Sequence, residues 1–376
     1  MKKLAGLTFA VLISALLLPC YGSVTACASL AAPSDRHISY TGRIDFSNPD
    51  KPVLFWSNSS IHARFTGTSI KVILDDSSGQ DTFCAVIDGD ESKAITIQCK
   101  KGIHIYDAAS QLDGDDHEIL LVKRTEYDAG STGFCGFILD EGRELSKFPL
   151  YVPQRRIEFY GDSITCGMGN EDLSRKNNSD MSLENGYMTY AAMTARNLSA
   201  QTHIISKSGI GFMVSWGDVI MPDIYDRLNP NDPKSKWDFS RWTPDVVVVN
   251  LGTNDNWLCG SRFKTAPSQI QIVEAYIGFI QALRARYSEA YILCALGNMN
   301  STEQSSQMPG YIEQAVSIMK ERYGETKLDT IFFPYKQTDA HPTISEQKAM
   351  VGPLTAKISR ITGWDVKAAD NEKEGN

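Results

Sequence analysis

From residue 151 to residue 366 the sequence alternates between short, continuous apolar runs and long segments of helical spacing, and few folds accept such a rhythm. The apolar runs stand at 157–160, 203–206, 246–251, 291–296 and 330–333. Between the third and fourth, Ile272, Tyr276, Phe279 and Leu283 recur at helical spacing, with Val273, Ile277 and Ile280 beside them. The segment 311–324 repeats the pattern and ends on Gly324, a residue suited to cap a helix. Strands separated by helices must be buried on both faces, which predicts a parallel sheet in a three-layer α/β/α domain. In such sheets ligands bind beyond the carboxyl ends of the strands, so the residues that follow each run are the ones to inspect.

Residues 35–150 have a different rhythm. Short apolar stretches broken by turn residues, such as ARFTGTSIKVILDDSSG, TFCAVIDGD, AITIQCKKG, HEILLVKRTE and GFCGFILDEG, predict an all-β sandwich. A chain of 376 residues exceeds one ordinary core, and two domains account for its length. The tail 367–376 is polar. At the other end Lys2 and Lys3 precede the apolar run 4–18 and Pro19, the layout of a secretory signal peptide over residues 1–28 rather than of a spanning helix. Two processing layouts stand open: a small-x-small site at Ala26-Cys27-Ala28, and a lipobox-like Val24-Thr25-Ala26-Cys27 that would lipidate Cys27. Both send the mature chain outside the cytoplasm, as a secreted, periplasmic or outer-surface protein whose membrane contact would be a lipid at Cys27.

The net charge of -8, with no basic stripe, argues against nucleic acid as a partner. Of the 8 cysteines, Cys20 and Cys27 belong to the leader region. The other six form no C-x-x-C pair or Cys/His cluster, so no zinc site is expected. Bridges among Cys84, Cys99 and Cys135 remain open, with buried free thiols the simpler reading.

Four of the strand ends bear polar groups: Gly161-Asp162-Ser163, Ser208-Gly209, Gly252-Thr253-Asn254-Asp255, and, after the last, Asp339-Ala340-His341-Pro342. A hydroxyl becomes a nucleophile only when a base takes its proton. Of the 6 histidines, four precede residue 150 and His203 sits inside an apolar run, which leaves His341 as the candidate base for Ser163. An attacked carbonyl also needs donors for its developing oxyanion. The amide of Ser163 at a helix start, the amide of Gly209 and the side chain of Asn254 are the candidates. Singly, each has an ordinary explanation as a helix cap, turn or loop residue. Together, at successive strand ends of one α/β unit, they point to acyl transfer. Asp162 and Asp255 read as loop-holding carboxylates, and a glycosidase acid pair would leave Ser163 and His341 without a role.

The blocks GDSIT, SGIG, GTND and DAHP resemble those of the SGNH (GDSL-type) hydrolases. SLENGYMTYAAMTARNL, MPDIYDRLNP and WDFSRWTPDVVVVNLGTND resemble the carbohydrate esterase family 2 branch, as does the N-terminal GRIDFSNPDKPVLFWSNSSIHARFTGTSIKVILDD. The likeness runs from Gly42 to Gly363. It implies a jelly-roll domain beside the catalytic domain, and removal of acetyl groups from acetylxylan or acetylated mannan. By position, Ser163 would be the nucleophile, His341 the base, and Ser163, Gly209 and Asn254 the oxyanion donors; no metal or organic cofactor is implied.

In one respect the chain departs from that pattern. The acid of such triads commonly stands three residues before the histidine, where this chain has Thr338; the available carboxylate is Asp339, two residues before. Residues i and i+2 of an extended segment share a face about 6.5–7 Å apart. A triad through Asp339 and a dyad with a backbone carbonyl both remain open. Trp257, just after the third block, is a candidate for contact with a sugar ring, with Trp216 behind it. Rival readings are an esterase or thioesterase for longer acyl chains, and a carbohydrate-binding protein with an inert α/β domain.

Overall fold

The computed structural model describes residues 28–176 and 180–367. The leader with Cys27, and residues 368–376 of the polar tail, lie outside the described residues.

The N-terminal strands are β1 (Ser29–Ala31), β2 (Ile38–Thr41), β3 (Ile44–Asp45), β4 (Val53–Leu54), β5 (Ser60–Thr66), β6 (Ile70–Asp76), β7 (Thr82–Ile87), β8 (Ile95–Gln98), β9 (Gly102–Ala109), β10 (Asp116–Lys123) and β11 (Thr132–Leu139). They pair antiparallel into two sheets, one in the order β3-β4-β11-β6-β9 with β1 added on β11, the other in the order β2-β5-β10-β7-β8. Alternation buries one face of β6, where Ile70, Val72 and Leu74 are buried while Lys71 is exposed. A register shift in β11 between Phe134 and Gly136 turns Phe134 and Phe137, three positions apart, into the same core, where their rings meet edge to face at 4.9 Å.

The C-terminal elements are β12 (Arg155–Gly161), α1 (Ser163–Cys166), α2 (Tyr190–Asn197), β13 (Ala200–Ser206), α3 (Met221–Ile224), β14 (Val246–Asn250), α4 (Thr253–Leu258), α5 (Gln269–Arg286), β15 (Tyr291–Leu296), α6 (Met308–Tyr323), β16 (Leu328–Phe332) and α7 (Ile344–Thr362). The sheet is wholly parallel in the order β13-β12-β14-β15-β16. Its middle strand shows why it needs two covers. Val247 and Val249 pack with α5 and α6, whereas Val246 and Val248 pack with α2 and α7 on the opposite face. A capping box of Ser268 with Gln271 opens α5, another of Thr343 with Glu346 opens α7, and α6 stops at Gly324 with φ +70.

The two domains share one interior. Phe55, Trp56 and Tyr127 of the sandwich belong to the same apolar cluster as Ile210, Phe212 and Leu251 of the α/β domain. Trp56 Nε1 donates to the Leu228 carbonyl at 2.9 Å. Arg43, between β2 and β3, is fully buried in the other domain. It pairs with Glu158 at 2.9 Å and donates to Tyr160 Oη at 2.9 Å and to the Tyr225 carbonyl at 2.6 Å. The described cysteines, Cys84, Cys99, Cys135, Cys166, Cys259 and Cys294, are all free thiols. No helix among the described residues is long and apolar enough to cross a membrane.

Removing one partner of a buried ion pair strands the other charge, so Arg43→Ala is expected to lower the unfolding free energy by about 3–5 kcal/mol in urea titrations. A loss below about 1 kcal/mol would show the pair to be dispensable. Burial alone would raise the Glu158 carboxyl, but the Arg43 charge and the His203 and Tyr287 contacts together outweigh it and hold the pKa down at about 2. Because the folded value lies below the ordinary 4.5, this contribution is present above that pH and is lost as pH falls from 4.5 toward about 2. The deficit of Arg43→Ala relative to wild type should therefore shrink across that window.

Candidate active site

Parallel strands bring all their carboxyl ends to one edge of the sheet, and the polar groups that follow them collect there. After β12 the chain turns sharply at Asp162, whose carboxylate caps α1 by accepting the Ile164 amide at 3.0 Å. The turn is tight: a side chain at Gly161 would come within 2.0 Å of Thr165 Oγ1. Ser163 is thereby held at the start of α1, with little of it exposed. The turn is braced from behind by Gln347 of α7, which donates to the Ile164 carbonyl at 2.8 Å and accepts the Tyr190 amide at 2.9 Å. Tyr190 Oη in turn meets Thr165 Oγ1 at 2.9 Å and Asn250 Nδ2 at 3.0 Å.

After β13, Gly209 adopts φ +76, a left-handed conformation that favours glycine, and its carbonyl accepts the Trp216 amide at 2.9 Å. After β14, Asn254 in the first turn of α4 donates from Nδ2 to the Ile210 carbonyl at 2.8 Å. That bond uses one of the two amide hydrogens and orients the other. Asp255 beside it accepts the amides of Phe212, Met213 and Val214 at 3.1, 2.8 and 3.1 Å, tying the second loop to the third. Burial pushes Asp162 up to about 7 and Asp255 up to about 6. Both carboxyls serve backbone amides, as expected of loop-holding residues.

His341 lies on the loop between β16 and α7. Its Nε2 is 2.7 Å from Ser163 Oγ, within hydrogen-bond reach. Burial first, and then the charge of Lys336, push its pKa down to about 4. Lys336 is placed by its own amide bond to the Asn298 carbonyl at 2.9 Å and by Nζ donation to Thr338 O at 2.6 Å. Asp339 turns toward another partner: its Oδ1 accepts the Tyr335 hydroxyl at 3.1 Å.

Ser163, Gly209, Asn254 and His341 line one cavity of about 280 Å³, together with Trp216 and Trp257. Met168, Thr253, Ser208 and Met299 complete the wall. Ser208 and Thr253 belong to the strand-end blocks, whereas nothing in the linear pattern singles out Met168, Met299 or Gln347 behind the Ser163 turn. Trp257 packs partly into the core and Trp216 is about half exposed, so Trp216 presents the more open ring. A larger cleft of about 850 Å³ lies in the groove between the domains, but it contains no nucleophile with a base beside it.

Fold and site together define a class, a carboxylic ester hydrolase on a three-layer α/β sheet preceded by a β-rich domain. The family models narrow it further: residues 159–348 match that of the GDSL-like lipase/acylhydrolase family, and residues 40–149 match the carbohydrate esterase 2 N-terminal domain. The chain belongs to the GDSL-like lipase/acylhydrolase family, in its carbohydrate esterase 2 form. It is 36% identical to the cellulase/esterase CelE of Acetivibrio thermocellus, over 87% of this chain and 40% of CelE. This chain thus spans well under half the length of that relative. An acetylxylan esterase / glucomannan deacetylase of Cellvibrio japonicus is 24% identical over 89% of this chain and 91% of its own length. Among solved structures, a family two carbohydrate esterase from Clostridium thermocellum, in complex with cellohexaose, superposes with a TM-score of 0.78 at 33% identity, covering 87% of this chain and all of that one.

With its pKa down at about 4, His341 stays neutral, and able to accept a proton, until the pH falls through that value. The acid limb of kcat/KM for an aryl acetate should therefore lie near pH 4, and Lys336→Met should move it upward. An acid limb between pH 6 and 7 in the wild type would contradict this account of the base.

Proposed function

We propose that this protein is a carbohydrate O-acetyl esterase working through Ser163 and His341. The observation that carries the reading is the 2.7 Å approach of His341 Nε2 to Ser163 Oγ inside a small cavity walled by tryptophans. In this mechanism His341 takes the Ser163 proton as Oγ attacks the acetyl carbonyl. The oxyanion forms beside the amides of Ser163 and Gly209 and the free N–H of Asn254. His341 returns the proton to the departing sugar hydroxyl. A water activated by the same imidazole then cleaves the acetyl-enzyme and releases acetate. No role is given to Asp339, whose carboxylate is engaged with Tyr335.

The substrate follows from the walls and from the relatives. A cavity of about 280 Å³ suits an acetyl group and the sugar that bears it better than a long acyl chain, which needs an extended apolar groove. The exposed face of Trp216 and the partly buried Trp257 offer flat apolar surfaces of the kind that pack on pyranose rings. The names of the relatives, acetylxylan esterase / glucomannan deacetylase above all, support plant-type acetylated polysaccharides as the substrate class. The leader-like residues 1–28 support work outside the cytoplasm. We also read the sandwich as a jelly roll, a reading supported by the strand orders β4-β11-β6-β9 and β5-β10-β7-β8 in its two sheets.

Acetate release from acetylated xylan and acetylated glucomannan tests this reading, with a chelator in a parallel tube. Wild type should release acetate from at least one polymer regardless of chelator, and Ser163→Ala should abolish release while leaving the melting temperature unchanged. Turnover retained in Ser163→Ala would remove the nucleophile assignment. Asn254→Ala should lower kcat by about 10²–10³, the cost of one lost oxyanion donor. A drop smaller than about threefold would leave Asn254 with only its bond to Ile210. Asp339→Asn should keep kcat within about threefold of wild type, whereas loss of a triad acid costs up to about 10⁴.

A further inference from the structure

Among the buried carboxyl groups that the mechanism above does not use, two lie side by side where the domains meet. Glu126 follows β10 in the sandwich, and Glu184 precedes α2 in the α/β domain. A carboxylate oxygen of each and the sulfur of Cys166 lie within 4.8 Å of one another. Burial pushes both carboxyls up. Such groups are costly to bury, and an apolar pair would fill the space at less expense.

Their hydrogen bonds run in one direction. Glu184 Oε1 accepts the backbone amide of Glu126 at 2.9 Å, and Glu184's carbonyl accepts Arg124 Nε at 3.3 Å. Glu126 Oε2 then reaches out of its own domain and accepts the backbone amide of Ser208 at 2.7 Å. The peptide that follows Ser208 is the one whose N–H belongs to Gly209. Two neighbours of Glu126 hold the same loop: Asp128 pairs with Lys207, and the Tyr127 ring lies 5.0 Å beneath Lys207 Nζ. On the far side the Gly209 carbonyl is held by Trp216. Gly209 itself has φ +76 and no side chain to lock its orientation, so the direction of its N–H is set by what grips the residues on either side.

We propose that Glu126 is a positioning residue of the catalytic centre: from the β-sandwich it fixes the Ser208 amide and so aims the Gly209 N–H at the forming oxyanion. This rests on the reading of Gly209 as an oxyanion donor. It gives the N-terminal domain a part in catalysis that does not depend on its touching glycan.

The test uses the full chain and p-nitrophenyl acetate, with Ser163→Ala as the blank. Glu126→Asp keeps the carboxyl group but withdraws the acceptor by one methylene; Glu126→Gln keeps an acceptor oxygen at full reach. A misplacement of about 1 Å can cost about 10²-fold, so Glu126→Asp should lose at least about tenfold in kcat with KM within about twofold, and Glu126→Gln should retain kcat within about threefold. Methylboronic acid, whose adduct with Ser163 places an oxygen at the oxyanion position, should bind the Asp variant more weakly by a similar factor. A role confined to packing would change the melting temperature without this selective loss. If Glu126→Asp turns over within about threefold of an active wild type, or if kcat falls while boronate affinity holds, the proposal is overturned. A wild type that matches the Ser163→Ala blank overturns the ester-hydrolase reading, and the inference with it.

Discussion

A guanidinium buried inside a neighbouring domain needs its charge paired, and Arg43 is the group on which the two-domain arrangement depends. Its charge meets Glu158 on β12, the strand that leads directly into the Ser163 turn, and its two terminal nitrogens also reach Tyr160 and the Tyr225 and Arg227 carbonyls. The sandwich is therefore docked on the strand that presents Ser163, through a contact that tolerates little displacement. Trp56 and Tyr127 enter the same apolar cluster as Ile210 and Phe212, so the loop bearing Gly209 is backed by side chains of both domains. The N-terminal domain is part of the enzyme's scaffold and more than an appendage of it.

The site itself follows from strand direction. In a sheet whose strands all point one way, the turn after β12, the loop after β13 and the helix start after β14 must emerge on one edge, and the loop before α7 closes over it. The carboxylates near the centre then serve as ties. Asp162 caps α1, and Asp255 gathers three amides of the 212–214 segment. The same burial that raises these carboxyls keeps His341 neutral. One physical cause, removal from water, thus leaves the base neutral and works against the charge of the ties, which the backbone amides they accept help to offset.

Much of this was legible in the sequence. The five apolar runs mark the five parallel strands, and the spacing over 272–283 and 311–324 marks α5 and α6, because buried strands and amphipathic helices must show those periods. Strand β9 was missed: Ile103 and Ile105 face outward and are well exposed, while Gly102 and His104 take the alternate positions, so the usual polar-out rule is inverted. Within the site, Asp339 lay close enough to His341 in sequence to suggest a triad, yet its carboxylate turns to Tyr335. Spacing along a strand gives reach but not rotamer. Gln347, Met168 and Met299 gave no signal, since their roles arise from proximity to residues about 50 to 180 positions away.

Pattern alone settled the fold class and the four polar blocks, because hydrophobic period and the residues at strand ends are properties of the chain written in order. It also brought the candidate nucleophile and base into the same unit, with only one histidine outside the sandwich and the core runs to choose from. Which groups touch was decided by tertiary structure. The 2.7 Å approach of His341 to Ser163 spans 178 positions, and the bond from Glu126 to the Ser208 amide crosses from one domain to the other. Such contacts depend on how two independently patterned domains dock and on which rotamers their packing permits, and neither has a period that can be read along the chain.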